Sequence, residues 1–217
     1  MRDLPLRTVT AVAYGVVLLV SVLAAQEVFY AVLALIIGLA TLELAGLRRA
    51  GIVAMLELLV LVVGTAALVW LRIHSERVFG PARVPSELLM TFLAVWAADV
   101  AAYAVGSSVG RHKIAPRISP GKTWEGTIAG FVAGTAVVIL WNRPFLAFPV
   151  WAFPAAVLIG PAAFAGDLLE SWAKRRAGVK DSGTVLPGHG GILDRIDSLV
   201  AAAILVAAAM AIAAGMG

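Results

Sequence analysis

The chain has 217 residues, of which 61% are hydrophobic and 14% charged, and its mean hydropathy is +0.96. Soluble domains sit nearer half apolar and a quarter charged, so the composition excludes an ordinary soluble domain and points to a polytopic membrane protein. There is no cysteine, which excludes disulfides and thiolate metal sites. The net charge of +4 matters less than where the charges fall.

Seven apolar stretches are predicted as helices, at 9–25, 28–47, 52–71, 87–105, 127–141, 148–169 and 193–214. A spanning helix needs about 20 residues, which most of these approach and the fifth falls short of. In lipid the backbone must satisfy itself internally, so spanning segments are helical. The first run has no convincing signal-peptidase site and is expected to stay as a helix. The sixth carries Pro149, Pro154 and Pro161, and the last two predict a kink or a break. The last is Ala-rich, which favours close helix packing. The expected fold is one all-α polytopic membrane domain of about seven transmembrane helices with kinked or broken segments. N-terminal helices fill 1–106, and 107–217 form a half carrying polar loops at 107–125 and 171–193.

With the N-terminus inside, 13 of the 17 Lys and Arg face the cytoplasm, and only Arg72, Arg77, Arg83 and Arg143 face outward. The positive-inside rule favours that orientation. It puts both polar loops on the cytoplasmic side of an expected inner membrane, with Trp141 and Trp151 as interfacial anchors.

Charge is densest from Ser171 to Ser198. If the last helix begins near Leu193, Asp194 and Asp197 lie on one face, ~60° apart around the axis and ~4.5 Å along it. Asp167, at the end of the sixth helix, would add a third carboxylate. Such oxygen-only ligation suits Mg²⁺, which commonly bridges to substrate phosphates. The competing reading is a helix cap with a surface ion pair, since acids favour helix N-termini. The run Pro187-Gly188-His189-Gly190-Gly191 between the basic residues and the aspartates is either a phosphate cradle at a helix start or an ordinary turn. His189 is a phosphate donor, a proton carrier or neither.

The other polar loop, 110–126, carries Arg111, His112, Lys113, Arg117 and Lys122. Topology alone would explain the charges. The compact set Ser119, Lys122, Thr123 and Glu125 at a helix start points instead to phosphate binding, centred on Lys122. Three acids lie within apolar segments. Asp99, with Tyr103 one turn on, would line a route to the site or pair with a base; Glu43 is similar, and Glu57 would reach the interface. None is expected to be catalytic.

The order of these residues resembles the signature of the phosphatidate cytidylyltransferases, also called CDP-diacylglycerol synthases. The matching positions are Ser171, Lys174, Arg175, Lys180, Asp181, Pro187, Gly188, His189, Gly190, Gly191, Asp194, Arg195 and Asp197. Upstream, Ile118-Ser119-Pro120, Lys122-Thr123, Glu125-Gly126, Gly166-Asp167 and Glu170-Ser171 fit the same pattern. Two features depart from it: Ser107 stands where the family often has Arg, and the chain is short, with fewer N-terminal hydrophobic segments.

The resemblance implies the reaction CTP + phosphatidate → CDP-diacylglycerol + pyrophosphate, in a homodimeric membrane enzyme with no nucleic-acid partner. It implies a metal centre at Asp167, Asp194 and Asp197 in which K⁺ joins Mg²⁺. Catalysis is then expected to rest on Asp167, Asp194, Asp197, Lys174 and Asp181. Ser119, Lys122, Thr123, Glu125, Ser171, Arg175, Lys180, His189, Gly190, Gly191 and Arg195 would bind substrate. The alternatives are a CTP-dependent transferase or kinase acting on a polyprenol or isoprenoid-type phosphate, a transporter of anionic metabolites, and a structural scaffold.

Overall fold

A computed structural model describes residues 4–79, 82–142, 149–186 and 190–215, with side chains from residue 13 onward except at 76–84. Among these residues the chain forms seven α-helices: α1 (Leu4–Leu23), α2 (Gln26–Gly46), α3 (Ile52–His74), α4 (Ser86–Ser108), α5 (Trp124–Asn142), α6 (Ala152–Ala177) and α7 (Leu193–Gly215). A 3-10 turn, Arg48–Ala50, joins α2 to α3. Helices α2 to α7 are long and apolar enough to cross a membrane, while α1 shows a shorter apolar stretch, Ala13–Leu23. The all-α polytopic architecture is the one its hydropathy foretells.

Helix α7 is the centre of the bundle, packed against α6, α3, α4 and α2. Its Ala202, Ala203, Val206 and Ala207 are buried, as close packing of small side chains requires. Helices α4 and α5 also approach closely. A Cβ at Gly126 would stand 2.5 Å from the carbonyl oxygen of Ala102, and one at Gly130 2.8 Å from that of Ala98. This is the small-residue contact that lets two helix backbones touch where lipid supplies no hydrophobic drive.

Two expectations about local structure are narrowed. Helix α6 is continuous from Ala152 to Ala177, with Pro161 inside it and no break. It also runs past Leu169, so Ser171, Lys174 and Arg175 are helical and the loop before α7 shrinks to 178–192. The helix ends at Gly178, whose φ of +78° is left-handed. The amides of Gly178 and Val179 there return to the carbonyls of Arg175 (3.2 Å) and Lys174 (3.0 Å), a standard helix stop. The loop at 107–125 is likewise partly regular. Strands β3 (Lys113–Ala115) and β4 (Ser119–Thr123), numbered after a first hairpin of β1 (Glu76–Phe79) and β2 (Ala82–Pro85), pair antiparallel with Lys113 opposite Thr123.

Candidate active site

The two polar segments meet at one end of the bundle. Helix α6 carries four of the site's side chains along about two turns, at Asp167, Glu170, Ser171 and Lys174, the i, i+3, i+4 and i+7 positions of one face. Strand β4 brings Lys122 onto Asp167, where its ammonium forms an ion pair and lies 5.0 Å from the Phe164 ring centroid. Ser171 Oγ donates to the other oxygen of Asp167 (3.3 Å). One turn further on, Lys174 pairs with both Glu170 and Asp194. The side chains of Lys174, Glu170 and Asp194 are 10%, 1% and 8% exposed, so this triad is desolvated. A buried ion pair of this kind depends on every partner being present.

Asp194 is fully engaged. Its Oδ2 accepts from the Gly191 amide (2.8 Å), the Ser182 hydroxyl (2.8 Å) and the Ser182 amide (3.1 Å), while Oδ1 faces Lys174. Asp197 is buried, with Oδ1 accepting the Ser198 amide (2.7 Å). It lies in electrostatic range of Asp167, Asp99 and Glu57. Among the described residues no three His, Asp or Glu side chains converge as a metal-holding group. The expected trio is therefore not a closed ligand set: Asp194 turns to Lys174 and the α7 start, while Asp197 lies in electrostatic range of both Asp167 and Glu170. By chemistry these hard carboxylate oxygens fit a magnesium ion. In the geometry of this structure, ammonium groups sit on Asp167 and Asp194.

The remaining predicted residues take different parts. Thr123 and Glu125 act within the protein. The Thr123 hydroxyl accepts the Gly126 amide (3.2 Å), capping α5, and Glu125 accepts from His112 Nδ1 (2.6 Å) and the His112 amide (3.3 Å). Arg175 clasps the hairpin to α6, donating to the carbonyls of Ile118 (3.1 Å) and Val179 (2.9 Å). Lys180, Asp181 and Arg195 are exposed, as are Arg48, Arg49, Arg111, Lys113, Arg117 and Arg176, which give the site a basic rim. Ser119 is half-buried in β4. His189, with Pro187 and Gly188, lies outside the described residues.

The phosphate-cradle reading of Gly190 and Gly191 is corrected in one respect. Gly190 takes a left-handed φ of +82° and accepts the Leu186 amide (3.0 Å). The amides that follow it are directed to carboxylates of the protein: Gly191 to Asp194, and Ile192 (3.0 Å) and Leu193 (2.9 Å) to Glu43. Glu43 is thus part of the site's frame, a role its sequence position alone did not reveal. Glu57, expected near an interface, is instead 1% exposed inside α3. Glu170 also escaped the predicted set, although its i,i+4 spacing to Lys174 was a usable signal; Ser182 offered none. Asp99 stands on the exposed face of α4, in electrostatic range of Asp167, Lys122 and Arg195. Trp141 is half-buried and donates its indole N–H to Ser86 Oγ (2.9 Å).

A family model described as "Cytidylyltransferase family" matches residues 59–213. The chain is 48% identical over 122 residues to a phosphatidate cytidylyltransferase of Brucella suis biovar 1 (strain 1330), a match covering 56% of this chain and 45% of that protein. It is 48% identical over 132 residues to one of Synechocystis sp. (58% and 44%) and 46% identical over 133 residues to one of Pseudomonas aeruginosa (60% and 49%). The chain spans somewhat under half the length of these curated relatives.

Proposed function

This chain belongs to the cytidylyltransferase family, and on that premise we propose that it transfers the cytidylyl group of CTP to phosphatidate. The products are CDP-diacylglycerol and pyrophosphate. The observation that carries this reading is the meeting of Lys122–Asp167 with Lys174–Glu170–Asp194 at one end of a lipid-embedded bundle, inside an exposed basic rim. Such a site faces an anionic soluble substrate and an anionic lipid head group together.

A phosphatidate phosphate oxygen attacks the α-phosphorus of CTP in line. The new P–O bond forms as the bond from the α-phosphorus to the bridging oxygen breaks, and that oxygen leaves with pyrophosphate. The nucleophile is already anionic, so no general base is needed, and catalysis reduces to positioning and charge neutralisation. Lys122 and the rim residues Lys180, Arg111 and Lys113 draw in the triphosphate, and Lys174 keeps the α6–α7 carboxylates in register. Asp167 and Asp197 would hold a magnesium ion, with K⁺ as a second cation, and Asp194 would join them only by giving up Lys174. When bound, the metal supplies a positive charge that stabilises the transferring phosphate. The acyl chains stay in the bilayer. The site end faces the cytoplasm of an inner membrane, by the same 13-to-4 bias of Lys and Arg, and the assembly is a homodimer.

Purified protein given phosphatidate and CTP tests this directly. Label at the α-phosphate is expected in lipid, and EDTA is expected to stop its appearance. Label from the γ-phosphate reaching lipid would replace the reading with a lipid kinase, the second reading for this fold. Lys122→Ala is expected to raise KM for CTP by about tenfold, the scale of one lost charge-assisted contact. Steady-state kinetics with unchanged KM and kcat would reduce Lys122 to a topology signal.

A further inference from the structure

We propose that Glu43 is a positioning residue that clamps the first turn of α7 and so sets the direction in which Asp194 and Asp197 point. The proposal rests on the reading of that turn as part of the reaction centre. Glu43 lies on α2, N-terminal to the segment that matches the family model.

The first amides of any helix lack partners within it. A local Ser, Thr, Asp or Asn usually supplies one. At α7 the partner comes from about 150 residues away in sequence: Glu43 Oε1 accepts the Ile192 amide (3.0 Å) and Oε2 the Leu193 amide (2.9 Å). Charge-assisted bonds of this type are stronger than neutral ones, and they oppose the positive end of the α7 dipole. Glu43 is buried, at 8% exposure. Its carboxylate sits in a slot that only glycines leave open: a Cβ at Gly183 would stand 2.4 Å from Oε1, and one at Gly191 2.3 Å from Oε2. The Ser182 hydroxyl lies 3.2 Å from Oε2 and 2.8 Å from Asp194 Oδ2. It has one proton to donate, and it joins the clamp to the Lys174–Asp194 pair. Glu43 thereby fills the anion position at the α7 N-terminus, which leaves substrate phosphates to the lysines.

Full-length Glu43→Gln protein tests the clamp by amide hydrogen exchange and the positioning role by kinetics. Gln keeps one acceptor but turns an NH₂ toward an amide donor. Exchange at Ile192 and Leu193 is expected to accelerate by about tenfold or more with the middle of α7 unchanged. The kcat for CTP is expected to fall about 10- to 100-fold, with KM for CTP held within about threefold. Gly183→Ala, which displaces the carboxylate without removing it, is expected to reproduce both changes, and it serves if Glu43→Gln does not fold. Unchanged exchange at Ile192 and Leu193 overturns the clamp. Faster exchange with wild-type kcat, or a kcat loss matched by an equal loss of folded protein, overturns the positioning role. A wild-type chain without CTP turnover would remove the assigned reaction, and the exchange result alone would then decide the clamp.

Discussion

Replacing Lys174 by methionine is expected to abolish cytidylyl transfer and to lower stability by about 3–5 kcal/mol, the usual cost of orphaning a buried charge partner. Lys174 is the counter-charge for Glu170 on its own helix and for Asp194 on α7. Methionine fills a similar volume, so the loss is electrostatic and not a cavity. Two carboxylates would then face each other in a desolvated site, and α6 and α7 would part beside Asp167 and Asp197. Thermal melting in detergent and the labelled-CTP assay read the two effects separately. The double variant Lys174→Met/Glu170→Gln removes one of the orphaned charges and is expected to recover much of the stability but none of the turnover. A Lys174→Met protein that melts like wild type would show that the triad contributes nothing to holding the two helices together.

The second large effect is expected from a single methyl group. Gly166 lies where α6 touches α7, and a Cβ there would stand 2.4 Å from the carbonyl oxygen of Asp197 and 2.8 Å from the Ala201 Cβ. Close carbon–oxygen contacts run at about 3.3 Å, so Gly166→Ala must push the helices apart by roughly 1 Å. Both obstacles belong to backbone or to a side chain with no rotamer to change. The displacement falls between Asp167 and Asp197. Misplacement of that size costs about a hundredfold in rate, and overpacking typically costs about 1–3 kcal/mol. Gly38→Ala is the control, because nothing lies within 4 Å of its Cβ position, and it is expected to leave turnover unchanged. Equal activity in the two variants would remove the α6–α7 contact from the account of the site.

The residues that define these tests were visible in the sequence to different degrees. Hydropathy is a local property, so the helices emerged close to their places. The expected start near Leu193 is the observed start of α7, and the second, third and fourth segments differ from α2, α3 and α4 by a few terminal residues. Pro161 left a kink and a break both open, because the loss of a helix hydrogen bond is inferred from the residue alone. In the bundle α6 stays continuous, held between α5 and α7. The motif order named a family and gathered Asp167, Lys174, Asp194 and Asp197 into one region, but spacing could not say which carboxylate faces which lysine.

By itself the sequence determined that the chain is a helical membrane protein whose charges collect in two polar segments, because burial in lipid is decided residue by residue. Only the tertiary structure decided how those charges are used. Glu43 reaches the amides of Ile192 and Leu193 across about 150 residues, Lys122 lands on Asp167, and Asp194 turns away to Lys174. Such pairings depend on which helices pack together, and a desolvated ion pair between two different elements carries no mark in the local pattern of either partner.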